Sequence, residues 1–162
     1  GLFALPMAGA ARLCGAPDLV VAGLEEAARH MGVLFQIQDD TLDLYGDKGR
    51  DTRGSDIGEG KRSALVAHAL SEASPADATK LLTILDNDRA ETSGEDVEWV
   101  VALFERTGTL AFVLAEMKRR KVSATSVPAL ADHPQLGALV SAMCDLFLDP
   151  IRPLFDTHQE LP

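Results

Sequence analysis

The chain has 162 residues, carries 25 acidic against 15 basic side chains for a net charge of −10, and is 46% hydrophobic but only 5% aromatic. That length is ordinarily one domain with a real core, and the acidic balance argues against nucleic acid and anionic membrane surfaces, which need a basic footprint. No apolar run approaches the ~18 residues of a transmembrane span and no signal peptide is visible, while Cys14 and Cys144 lack a C-x-x-C spacing and read as small buried hydrophobes in a reducing cytoplasm.

The chain opens Gly-Leu-Phe-Ala-Leu, without methionine, and enters an apolar helical pattern at once, as a piece of something larger would. Residues 2–14 are apolar almost all round, which predicts a buried helix kinked at Pro6. Gly15-Ala16-Pro17 breaks it, and Asp18 is the expected N-cap of a long helix over 18–45. Residues 46–61 contain Gly49, Gly54, Gly58 and Gly60 after Gly46, charges of both signs, and one large apolar residue, Ile57. That is a loop, and loops of this length in compact domains are usually functional or disordered. Short helices are expected at 63–73 and, opened by Ser74-Pro75, at 75–86. Thr92-Ser93-Gly94 leads into a long helix over 95–122. A linker from Val127-Pro128 to His133-Pro134 precedes a last helix at 135–148, whose end Pro150 and Pro153 break. Alanine and leucine abound, the residues strands favour are comparatively few, and no repeat is visible, so the expected class is all-α.

On the long helix Gln36, Asp39, Asp40 and Asp43 project from one face, since residues three and four apart are helical neighbours. Crowded carboxylates repel one another, and a hard divalent cation removes that cost. Mg²⁺ prefers one or two carboxylates completed by water and phosphate oxygens. Leu24, Met31, Leu34, Phe35 and Leu42 flank the acids on the same helix, which places the acidic face at the rim of a core. The competing reading is a solvated face in an acidic chain. Against it, Lys48, Arg50, Arg53, Lys61 and Arg62 follow in a glycine-rich segment. Glycines permit close backbone approach, and Lys and Arg bind phosphate oxygens. Carboxylates and cations together suit a Mg–diphosphate ligand. A calcium loop fails on paper. An EF-hand register from Asp47 puts Thr52 where the obligatory glycine belongs and Gly58 where the glutamate belongs. Elsewhere, His30 reads as structural, His68 and His158 have no partners at metal spacing, Trp99 and the 97–117 apolar stripe read as core, and Glu105, Glu116 and Lys118 through Lys121 as a solvated face.

The segments F-Q-I-Q-D-D-T-L-D-L-Y-G-D (35–47) and G-R-D-T-R-G-S-D-I-G-E-G-K-R-S (49–63) closely resemble the second aspartate-rich motif and following loop of trans-isoprenyl diphosphate synthases, the polyprenyl synthetase family. The match is specific over about thirty residues. The resemblance implies the C-terminal half of an all-α, isoprenoid-synthase-type helical bundle, with 1–162 forming that part of one domain. It implies Mg²⁺ as cofactor, and isopentenyl diphosphate and an allylic diphosphate as substrates joined head to tail after ionisation. It assigns Asp39, Asp40 and Asp43 to the metal and, with Lys61, to catalysis. Phe35, Gln36, Arg50, Lys61 and Ser63 are assigned to substrate binding, Arg50 in the place of the first loop lysine and Ser63 where threonine is common. A homodimer in the cytoplasm is also implied. The family's first aspartate-rich motif is expected upstream of residue 1, so this chain is expected to be inactive alone, needing its first half or a partner subunit. The alternative is a non-catalytic diphosphate-binding or accessory subunit of a heteromeric enzyme. A terpene cyclase relative shares the metal–diphosphate chemistry, but the lysine-bearing loop favours the synthase.

Overall fold

The computed structural model describes residues 2–46 and 53–157, all helix and connection, with no strand among them. The first helices are α1 (Ala4–Leu13), α2 (Asp18–Tyr45), the single turn α3 (Ser55–Gly58), α4 (Ala64–Glu72) and α5 (Pro75–Asp86). Then come α6 (Gly94–Arg106), α7 (Thr109–Thr125), α8 (Pro134–Leu148) and α9 (Arg152–Thr157). Short 3₁₀ turns occupy Pro128–Leu130 and Asp149–Ile151. The all-α expectation holds.

Two compact units divide the chain: Gly1–Gln38 with Ala115–Arg152, and Asp39–Leu114 with Pro153–Pro162. In the first, the apolar positions of α2 recur at helical spacing (Val20, Val21, Leu24, Ala27, Ala28, Met31, Leu34), so one stripe is buried. It shares the unit's core with Met117, Ala124, Val140 and Cys144. Gly23 lies against Ala129, whose Cβ would stand 2.8 Å from a Cβ placed on the glycine. Phe3, Phe35 and Phe147 form an aromatic triad with ring centroids 5.2–5.6 Å apart, an arrangement that ring quadrupoles favour. Here α1 departs from expectation. Of its residues only Ala8 is buried, while Leu5 and Leu13 are 78% and 91% exposed. An apolar pattern on every side cannot select a face, and neighbours cover only one. Pro6 does not kink α1, because it sits in the first turn, where a backbone N–H has no intrahelical partner anyway. Cys14 is exposed rather than buried, because it caps the end of α1 ahead of Gly15 at φ +72°. Cys144 is buried as expected, and desolvation pushes its thiol up to about 11, with Lys121 opposing and Asp145 adding to the shift. Asp18 is the first helical residue of α2, whose first amides, Val20 and Val21, bond the Pro17 carbonyl.

In the second unit α3 packs on α5, and α4, α5 and α6 pack on one another around Leu65, Leu81, Ile84, Val100 and Phe104. The starts of α5 and α6 were legible. Ser74 caps α5 by accepting from the Asp77 N–H, with Pro75 at the first position. Ser93 and Asp96 form a reciprocal capping box on α6. Two expectations fail. A single helix over 95–122 is two, because Gly108 at φ +66° ends α6, its N–H bonded to the Glu105 carbonyl. The 46–61 segment is not all loop, since Ser55–Gly58 completes a helical turn. Beyond Pro150 and Pro153 the chain stays helical as the Asp149–Ile151 turn and α9, each proline lying in a first turn. His158 lies outside the described residues, as do Lys48 and Arg50.

Candidate functional site

The last two turns of α2 carry Asp39, Asp40 and Asp43 into the second unit. The acidic face was expected at a rim, but Asp40 and Asp43 are only 4% and 5% exposed, and Asp39 is half-buried. Buried carboxylates need partners, and α3 with the turn after it supplies them. Ser55 Oγ donates to Asp43 Oδ1 at 2.5 Å, and the Asp56 N–H donates to Asp43 Oδ2 at 3.0 Å. The Gly54 N–H bonds the main-chain carbonyl of the same aspartate at 3.1 Å. Lys61 Nζ lies 2.7 Å from Asp40 Oδ1 and 2.6 Å from Asp56 Oδ2, one ammonium between two carboxylates. Its own backbone N–H bonds the Asp56 carbonyl at 2.9 Å, closing the turn.

The glycines make this approach possible. Gly54 (φ +79°) has no room for a Cβ, which would fall 2.5 Å from Val97 Cγ1. At Gly60 (φ +66°) a Cβ would fall 2.4 Å from the Leu85 carbonyl oxygen. Both have a backbone conformation that side chains disfavour. Burial alone would lower the Lys61 pKa, but the hydrogen bonds and charges of Asp40 and Asp56 outweigh it, so the ammonium is held well above its ordinary value. Burial raises the carboxyl of Asp56; the Lys61 bond opposes that shift, and the charges of Asp43 and Asp40 add to it.

The other expected residues are distributed as follows. Arg53 Nε donates to the Leu44 carbonyl and its Nη1 pairs with Glu98, both at 2.6 Å, so this cation ties the end of α2 to α6. Arg62 pairs with Asp86 at 2.6 Å. Ser63 Oγ accepts from the Val66 N–H at 3.3 Å and so caps α4. Phe35 and Gln36 belong to the first unit, Phe35 in the aromatic triad and Gln36 exposed. Ser55 and Asp56 were not singled out from the sequence. The available signal was Gly54-Ser55-Asp56: a glycine permitting close approach, followed by a hydroxyl and a backbone N–H. Nearby, Tyr45, Phe104, Leu110 and Leu154 help line an apolar cavity of about 360 Å³. Burial, reinforced by Glu105 and opposed by Arg53, pushes the Tyr45 phenol up to about 12. His68 bonds Thr109 Oγ1 at 3.0 Å and stacks on Phe112 in the same unit, a packing role.

Among the described residues no group of three His, Cys, Asp or Glu forms a ready-made metal cage. The donor chemistry nevertheless fits Mg²⁺, which is ordinarily held by one or two carboxylates and completed by water and phosphate oxygens rather than by an all-protein shell. A carboxylate has about four lone-pair sites, so Asp43 retains acceptor capacity beyond its two hydrogen bonds.

The family model described as Polyprenyl synthetase matches residues 1–104. A short chain isoprenyl diphosphate synthase of Methanothermobacter thermautotrophicus is 37% identical over 117 residues, which is 70% of this chain and 34% of that protein. The crystal structure of a polyprenyl synthetase from Streptomyces coelicolor superposes with a TM-score of 0.76 at 27% identity, over 90% of this chain and 45% of that one. A geranylgeranyl pyrophosphate synthase from Corynebacterium glutamicum, complexed with isoprenyl diphosphate and magnesium, gives 0.70 at 27% identity, over 82% and 38%. The chain thus spans about a third of the curated relative's length and under half of each solved neighbour's. With the family model covering well over half of the chain and its all-α fold shared with these synthases, this chain belongs to the polyprenyl synthetase family.

Proposed function

We propose that this chain carries the second aspartate-rich half-site of a prenyl diphosphate synthase, which joins isopentenyl diphosphate to an allylic diphosphate. The observation that carries the reading is the Lys61 ammonium lying between the carboxylates of Asp40 and Asp56. Such a cation beside buried acids is poised to serve a ligand that brings its own negative oxygens and a counter-cation. The carboxylates that would hold Mg²⁺ are Asp39, Asp40 and Asp43. When bound, the metal supplies Lewis-acid stabilisation of the charge that develops on a departing pyrophosphate. Lys61 donates to diphosphate oxygens and keeps its proton throughout, because its neighbours hold its pKa high. Asp43, fastened by Ser55 and the Asp56 amide, keeps the loop against α2. Phe35 and Gln36 are assigned to the isopentenyl substrate and Ser63 and Arg50 to substrate binding, Arg50 lying outside the described residues. The homodimer and cytoplasmic location belong to the same reading.

The test is calorimetric titration of the chain with inorganic pyrophosphate, with and without Mg²⁺. Binding is expected to require the metal, to weaken at least about tenfold in Lys61→Met, consistent with loss of one charge-assisted contact, and to lose its metal dependence in Asp39→Asn. Metal-independent binding, or binding indifferent to Lys61→Met, overturns the reading. The sequence contains one D-D-x-x-D motif, so the 162-residue polypeptide assayed alone with Mg²⁺ and both prenyl substrates is expected to show at most trace turnover.

A further inference from the structure

The contacts of Asp43 suggest a task for it and for Ser55 separate from metal binding. Both carboxylate oxygens of this buried aspartate already accept from α3, and the main-chain carbonyl of Asp43 accepts from Gly54. Three bonds from three successive residues, 54, 55 and 56, therefore converge on one residue of α2. The third of them, Asp56, also holds Lys61, through its carboxylate at 2.6 Å and through its carbonyl at 2.9 Å. Asp43 is hydrogen-bonded to the Asp56 amide and, beside it, to the Ser55 hydroxyl, and the Asp56 carboxylate leads on to the Lys61 ammonium and from there to Asp40. Lysine has a flexible four-carbon stem and no fixed fork, so its charge is placed only by what its ammonium touches. Asp40 and Asp56 together set that placement, and Asp56 is the one of the two whose backbone the Asp43 carboxylate holds.

We propose that Ser55 and Asp43 form a clasp that positions the Lys61 ammonium over Asp40, which makes Ser55 a positioning residue that need not touch any ligand itself. The proposal extends the reading of Lys61 as a diphosphate-binding cation, but its primary readout is independent of that reading. The hydroxyl of Ser55 and the N–H of Asp56 hold the two carboxylate oxygens together, so losing one bond loosens the pair. Threonine at position 55 would preserve the hydroxyl and alanine would not.

The experiment compares the wild-type chain with Ser55→Ala and Ser55→Thr by ¹⁵N-edited NMR, following the Asp56 amide and the Lys61 side-chain ammonium. In the wild type the Lys61 ammonium is expected to be protected enough from water exchange to give a resolved signal. In Ser55→Ala, Asp56 amide exchange is expected to accelerate about tenfold and the ammonium signal to broaden into the solvent, while Ser55→Thr retains both. Far-UV circular dichroism checks that each variant is folded. Pyrophosphate titration in the presence of Mg²⁺ then follows, with about three- to tenfold weaker binding expected in Ser55→Ala and rescue in Ser55→Thr. Unchanged amide exchange and an unchanged ammonium signal in Ser55→Ala overturn the clasp, whatever the titration gives. The NMR changes without any pyrophosphate binding by the wild type leave the clasp standing and overturn the diphosphate reading instead.

Discussion

Lys61 is the residue whose charge most directly ties the acidic end of α2 to the turn after α3. It is a counter-ion of a carboxylate that is only 3% exposed at its side chain, so its removal takes an ion pair from a charge held away from water. Breaking a buried pair by deleting one partner costs about 3–5 kcal/mol, and the partial exposure of Lys61 puts Lys61→Met at the lower end, about 3 kcal/mol by urea unfolding. The pH dependence follows from the raised lysine pKa. A raised basic group contributes stability that is fully present below its unfolded value, 10.5, and is lost as pH rises through the higher folded value. The stability gap between wild type and Lys61→Met is therefore expected to be flat through neutral pH and to close only in the alkaline range above that value. Asp56 works the other way, because an acid with a raised folded pKa holds its proton more tightly when folded and opposes folding as pH rises past its ordinary 3.8. A gap that instead closed near neutrality would mean the ammonium is not held as described.

Among the helices, the ends matter more than the interiors. Ser93 caps α6 by accepting from the Asp96 N–H at 3.1 Å, and the Asp96 carboxylate accepts in turn from the Ser93 hydroxyl and N–H. Losing such a cap costs about 1 kcal/mol, so Ser93→Ala should lower the urea midpoint accordingly. The Ser93 side-chain and backbone bonds lower the Asp96 pKa, and a depressed acid contributes stability above its unfolded value that fades as pH falls through the folded one. The deficit of Ser93→Ala should thus shrink below pH 3.8. Gly60 and Gly108 give a second contrast. Both have φ +66°, but a Cβ at Gly108 meets nothing within 4 Å whereas one at Gly60 collides with the Leu85 carbonyl. Gly108→Ala should cost about 1 kcal/mol of backbone strain alone, and Gly60→Ala at least about 2 kcal/mol, with overpacking added. Similar losses in the two variants would mean the turn before Lys61 is looser than its geometry.

For the molecule as a whole, a ligand bound only by the native state adds stability that grows with the logarithm of its concentration over Kd, about 2.7 kcal/mol at a hundredfold excess. For a chain of this length each kcal/mol raises the melting temperature by about 2–4 °C. Mg²⁺ with pyrophosphate should therefore raise it by roughly 5–10 °C, more than the sum of either alone. Equal shifts from either component by itself would separate the acids from the lysine as binding sites.

How much of this was legible in the chain depended on range. The all-α class, the starts of α5 and α6, and the acidic face with its lysine loop rest on spacing and local hydrogen-bonding chemistry, which act within a few residues and so can be read in one dimension. The Gly108 stop was equally local, but an uninterrupted apolar stripe on both sides of it masked it. The exposure of α1 and Cys14, the caps at Ser63 and Ser93, and the pairing of Arg53 with Glu98 divide on the same line. The serine at 93 sits in a local motif, while the exposures and the arginine pair depend on which distant segment arrives alongside. The largest change was at the site, where Asp40 and Asp43 proved buried and held by Lys61, Ser55 and Asp56. The residue types by themselves determined that carboxylates, a lysine and flexible glycines would meet. Only the tertiary structure decided that the lysine would face Asp40 while Arg53 and Arg62 turned to other acids, because that choice is made by desolvation. A buried carboxylate must be satisfied by whichever donor the folded backbone brings within reach, and that reach is set by the turn at Gly54 and Gly60.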